Sequence, residues 1–131
     1  MTNHTSVYTE NDLVDAKAAI KIMAERAQKA QAKFSEGSSQ HTLQVNRIHA
    51  LQVALQMIDC RISNSNISEM APEDIQRAKA PLQSLLSKSE KSCTKLVEGS
   101  WQYKMLSRNI VALSIAVSAV CRNAEVAIYE T

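Results

Sequence analysis

Two glycines, two prolines and one tryptophan in 131 residues exclude more than any motif in the chain asserts. With glycine this scarce, both residues are needed for chain reversals and no phosphate-cradling loop remains. HExxH, CxxC and nucleophile-elbow patterns are absent as well. Cysteine is limited to Cys60, Cys93 and Cys121, an odd number at wide spacings, which fits reduced thiols in a core better than a disulfide framework or a zinc site. Charge of one sign is lacking too. Fifteen Lys+Arg against thirteen Asp+Glu leave a formal net charge of +2, and aromatics make up 4% of the chain, so neither a strong polyanion field nor a bank of stacking rings is available. No positive n-region or apolar h-region stands in "MTNHTSVYTE", so the expectation is a cytoplasmic protein in which the sequons at Asn3 and Asn66 carry no weight.

What is present is apolar: 45% hydrophobic against 21% charged residues, a balance that excludes disorder and predicts one domain over residues 1–131 with a single core. The longest uncharged run is "IVALSIAVSAVC" at 110–121, between Arg108 and Arg122. As a helix it rises about 18 Å against a hydrocarbon core of roughly 30 Å, which argues for a buried helix and against a membrane span.

The glycines punctuate the chain at matching places. Gly37 in "KFSEGSSQ" and Gly99 in "KLVEGSWQ" each follow a long helical pattern and precede serine, the chemistry of a left-handed helix C-cap running into the next N-cap. The polar stretch "SNSNISEMA" joins the two halves and ends at Pro72, suited to a first helical position ahead of Glu73 and Asp74.

Laid on itself at an offset of 62, the chain repeats. "EGSSQHTLQVNRIHALQVAL" from Glu36 matches "EGSWQYKMLSRNIVALSIAV" from Glu98 without a gap in eight of twenty positions, where composition alone gives roughly one. Upstream, Asp12 falls on Asp74, Ala16 on Ala78, Lys17 on Lys79, Lys29 on Lys91 and Lys33 on Lys95. The reading is a duplicated helical hairpin, 9–69 and 71–131.

Spacings of three and four mark the buried stripes. Leu13, Ala16, Ile20, Met23, Ala27, Ala30 and Phe34 form one seam, and Ile75, Ala78, Leu82, Leu85, Ser89, Cys93 and Leu96 its counterpart, with Pro81 expected to kink that helix or restart it. Ile48, Leu51, Leu55 and Ile58 are matched by Ile110, Leu113, Val117 and Val120. Four such helices joined by turns predict an all-α, antiparallel four-helix bundle with a pseudo-twofold axis.

No enzyme is expected of this bundle, nor any cofactor or metal. A di-iron centre needs Glu-x-x-His on facing helices, and neither His41 nor His49 has a glutamate three residues before it; both read as ordinary polar or half-buried residues. Two cationic stripes stand out instead: Arg26, Lys29 and Lys33, reproduced as Lys88, Lys91 and Lys95. Cations near helix C-termini complement the macrodipole while solvated, and the same arrangement suits a nucleic acid or another anionic surface.

The segments "EGSSQHTLQVNRIHAL" and "SKSEKSCTKLVEGSWQYKMLSRNIVALSIA" resemble small bacterial helical proteins of unknown function that carry a Gly-Ser/Thr-x-Gln turn ahead of an amphipathic helix. The resemblance implies a bacterial origin and brings no activity or site residue with it.

Comparing the two repeats gives the functional expectation. Over "IHALQVALQMID", the later stretch changes His49 to Val111, Gln52 to Ser114, Gln56 to Ser118 and Asp59 to Cys121, making a polar outer face apolar and small. If one stripe per helix suffices for the core, this second stripe needs a cover: the N-terminal segment around Val7 and Tyr8, or another chain. The expectation is a non-enzymatic interaction module, a homodimer meeting through Val111, Ala112, Ser114, Ile115, Ser118 and Ala119, with a protein partner as a further possibility. The alternative is a polyanion-binding protein using the two cationic stripes.

Overall fold

The computed structural model describes residues 8–63 and 70–130, with side chains as far as Arg122. Four helices, α1 (Glu10–Gln31), α2 (Ser39–Ile62), α3 (Pro72–Cys93) and α4 (Trp101–Glu130), form an all-α bundle without strands among the described residues. Residues 64–69 of the polar connection, Val7, and the sequons at Asn3 and Asn66 lie outside them.

Helix α1 packs on α2 and α3 on α4; α2 also meets α3, α4 meets α1, and α2 touches α4, whereas α1 and α3 do not meet. Exchanging the first pair with the second leaves that pattern unchanged. Within the first pair Lys17 Nζ lies 2.6 Å from Asp59 Oδ1 and Gln31 Nε2 lies 3.3 Å from His41 Nε2, so residue numbers rise in α1 as they fall in α2.

The two turns agree bond for bond at the offset of 62. Ser38 N donates to Ser35 O and Ser100 N to Val97 O, both at 3.0 Å. The Ser38 and Ser100 hydroxyls cap α2 and α4 by accepting from His41 N and Tyr103 N, both at 3.2 Å. Gly37 and Gly99 have φ of 87° and 84°. The positive φ is as expected, but its place is not. The glycines are not helix C-caps: α1 ends at Gln31 and α3 at Cys93, with Ala32 and Thr94 still right-handed. Each glycine is the third residue of a four-residue turn just before the next N-cap, where φ must be positive. The helix ends themselves close by tightening, with Lys33 N to Ala30 O and Lys95 N to Ser92 O at 3.1 Å.

The core follows from how many neighbours each helix has. In α2 the buried residues are Ala50, Leu51, Val53, Ala54, Met57 and Ile58, and in α4 they include the six equivalents Ala112, Leu113, Ile115, Ala116, Ala119 and Val120. Each band is wider than the predicted stripe: Ile48, Leu55, Ile110 and Val117 are only half-buried. A helix that touches three others must bury more than one stripe, and small residues let it do so at close approach. Helix α1 also buries six residues, four of them alanines, and α3 buries four. Leu13, Ala16, Ile20 and Ala24 of α1 and Ile75, Ala78 and Leu82 of α3 belong to the same cluster, while Phe34, beyond the end of α1, is exposed and Leu96 half-buried.

Helix α3 runs unbroken through Pro81, so no restart occurs. The ring, where α1 has Ala19, deprives the Arg77 carbonyl of its helical donor. The helix starts differ as well. Thr9 and Asp12 form a capping box, Asp12 N donating to Thr9 Oγ1 at 3.0 Å and Thr9 N to Asp12 Oδ2 at 2.9 Å. Ala71 offers α3 no side-chain cap, Pro72 opens the helix, and the equivalent Asp74 lies 3.2 Å from His49 Nε2 instead.

Helix α4 extends well beyond its apolar run. The run at 110–121 is part of a 30-residue helix whose segment Trp101–Arg122, with an 18-residue window of mean hydropathy 1.4, is long and apolar enough to cross a bilayer by length and composition. That segment also contributes six residues to the bundle core, each at most 2% exposed.

Candidate interaction face

The Ser100 cap starts α4 at Trp101, leaving the indole 69% exposed. Trp101, Lys104, Arg108 and Val111 follow at spacings of three, four and three, one stripe of the helix, and all four are exposed. Helix α1 lies alongside. Between the two runs a groove of about 370 Å³, lined from α1 by Ala19, Ile22 and Arg26 and from α4 by Trp101, Lys104, Met105, Arg108 and Asn109. Its walls combine apolar surface, with Ile22 itself 51% exposed, and three cations. No carboxylate lines it, and Arg26, Lys104 and Arg108 make no ion pair among the described residues.

A shallower groove of about 250 Å³ lies on the other side of Arg26, lined also by Met23, Gln44, Arg47 and Leu85. Arg47 is half-buried there with no partner for its Nε among the described residues, and burial lowers the pKa of its guanidinium from the usual value.

The predicted interface residues separate. Val111 and Ser118 are exposed and Ser114 is half-buried, its hydroxyl donating to Ile110 O at 2.8 Å. Ala112, Ile115 and Ala119 are 1%, 1% and 2% exposed: they are core, because α4 packs on α1 and α2 as well as α3. The second stripe is therefore covered only in part by the chain itself: Val111 and Ser118 are exposed, Ser114 and Cys121 half-buried. Tyr8, from the N-terminal segment weighed as a cover, is half-buried against the core.

The cationic stripes are exposed at all six positions, Arg26, Lys29, Lys33, Lys88, Lys91 and Lys95. They are not two continuous helix faces, since α1 stops at Gln31 and α3 at Cys93, which puts Lys33 and Lys95 in the turns. Arg26 is brought instead to Lys104 and Arg108 of α4, a grouping that spacing within one helix does not reveal. His41 and His49 are half-buried as expected, and His49 Nδ1 has no hydrogen-bond partner among the described residues. Cys93 is buried with its Sγ 3.8 Å from Ser107 Oγ, and Cys60 and Cys121 are half-buried. No group of three metal-ligating side chains occurs among the described residues.

The equivalent positions on the α2/α3 side are different. Ile22, Trp101 and Val111 correspond to Ser84, Ser39 and His49, and Lys104 and Arg108 to Thr42 and Asn46. Two positions keep their character, Arg26 as Lys88 and Met105 as Leu43. Asn46 there accepts from Arg77 at 3.3 Å.

Compared with protein-family models, with curated proteins and with solved structures, the chain matches none.

Proposed function

We propose that this protein is a non-enzymatic interaction module: a bundle of two duplicated, antiparallel hairpins about a pseudo-twofold axis, α4 being a core helix, that binds another protein through its α1/α4 face. One observation carries the reading. Exposed Ile22, Trp101 and Val111 lie on that face among three cations that make no ion pair among the described residues, whereas the repeat-related face has Ser84, Ser39 and His49. Tryptophan and arginine at the centre of an apolar patch are the side chains that dominate binding energy at protein interfaces. A catalytic reading finds no serine, cysteine, carboxylate or histidine in the groove lining.

Self-association receives less support than a foreign partner. A twofold dimer across this face sets Arg26, Lys104 and Arg108 close to their own copies, and like charges across an interface disfavour it. The setting remains a proposal too: a cytoplasmic protein, in keeping with its three thiols.

Site-specific photocrosslinking in the cells of origin tests the reading. A photoreactive residue at Val111 should capture one partner species that the same residue at the equivalent His49 does not. Capture equal at both positions, or at neither, would contradict the assignment, and a product at twice the chain mass would return the homodimer.

A further inference from the structure

Resting on that reading of the α1/α4 face, we infer that its groove receives an acidic amphipathic helix of the partner, an apolar side chain seated over Ile22 and Met105 beside Trp101, with carboxylates on Arg26, Lys104 and Arg108. Two helices packed side by side leave a furrow that a third helix fills, in the helix-in-groove mode of recognition. The furrow is concave and about 370 Å³ in volume, which suits inserted side chains and not a flat lipid surface. Apolar side chains and cations line the same groove, so an occupant must be apolar on one stripe and acidic beside it. Among the described residues the cations have no carboxylate of their own to displace. The N-terminus of α4, directly at Trp101, adds positive potential at that end.

The competing occupants fit less well. A second copy brings the same three cations. A nucleic-acid strand gains from successive rings on which its bases stack, and Trp101 is the single aromatic residue lining the groove.

Trp101 is the one tryptophan of the chain, so its emission reports on this groove alone. The probe is an acetylated helical peptide of about 20 residues without aromatics, with leucines at helical spacing flanked by glutamates. Alongside it stand a scrambled peptide of the same composition, a thymidine oligonucleotide and vesicles containing anionic phospholipid. A saturable blue shift with the ordered peptide only is expected. Replacing Ile22→Ser, Lys104→Thr and Arg108→Asn, each the residue of the equivalent position, should weaken binding about tenfold or more, while Lys88→Ala on the other face leaves it unchanged. All three replaced side chains are exposed; should the triple variant fail to fold by circular dichroism, Arg108→Asn alone supplies the comparison. No shift with the ordered peptide, an equal shift with the scrambled one, or a response to oligonucleotide or vesicles instead would overturn the acidic-helix assignment. If that assignment fails while the Val111 crosslink persists, the interaction face stands without it; if the crosslink is lost as well, both fall.

Discussion

Across the α1/α4 contact the surface carries Ile22, Trp101 and Val111 with Arg26, Lys104 and Arg108; across α2/α3 the same positions carry Ser84, Ser39 and His49 with Lys88, Thr42 and Asn46. Beneath both, the core hardly differs. Ala50, Leu51 and Ala54 recur as Ala112, Leu113 and Ala116, and Val53 and Ile58 as Ile115 and Val120. Met57 against Ala119 is the one large change in volume among these six pairs. Buried positions touch several helices at once, and a change of volume there is felt throughout the packing. Exposed positions are held by little besides solvation, so they drift toward what a partner requires. If the two halves are copies of one hairpin, as proposed, a shared core with a differing face points to the face proposed to bind.

The largest effect should fall on the shared core. Leu51 and Leu113 are 1% and 0% exposed at equivalent places, so Leu51→Ala and Leu113→Ala should each cost about 3 kcal/mol in urea unfolding. A gap between them of more than about 1.5 kcal/mol would break the equivalence of the two hairpins. Next come the turns. A Cβ on Gly37 or Gly99 meets nothing within 4 Å, which leaves only the cost of positive φ, about 1–2 kcal/mol each for Gly37→Ala and Gly99→Ala. Thermal melts in which one variant is unaffected would show that the two turns differ in spite of their matching bonds.

Helix starts sharpen the comparison at a smaller scale. Thr9→Ala removes half a capping box and should cost about 1 kcal/mol, whereas Ala71→Ser supplies the missing cap and should stabilise by up to about 1 kcal/mol. Calorimetry of the pair settles the sign. Smallest of all, Ile22→Ser, Lys104→Thr and Arg108→Asn should each move stability by no more than about 0.5 kcal/mol, being exposed changes away from caps and core. Such variants separate binding from folding.

Much of this was legible in the residues. Internal self-similarity located the turns, the positive-φ glycines and the pairing of Leu51 with Leu113, because turn chemistry and buried volume are local demands. Helix ends were less legible. The apolar spacing continues through Phe34 and Leu96 although the helices stop at Gln31 and Cys93, since a tightened last turn keeps nearly the same period. The width of the core was misjudged for Ala112, Ile115 and Ala119 because one chain does not state how many neighbours a helix has. The groove was half visible. Ser39 to Trp101, Thr42 to Lys104 and Asn46 to Arg108 can be read directly from the aligned repeats, but joining them to Ile22 and Arg26 requires knowing that α4 lies against α1.

Backbone amide chemical shifts of the isotope-labelled protein, followed while the leucine–glutamate peptide is added, bear most directly on the claim that one face of two has become the binding face. The prediction is that perturbations gather between Ala19 and Arg26 and between Trp101 and Val111, while the equivalent stretches from Pro81 to Lys88 and from Ser39 to His49 stay in place. Perturbations shared evenly by the two faces, or gathered on α2 and α3, would contradict it.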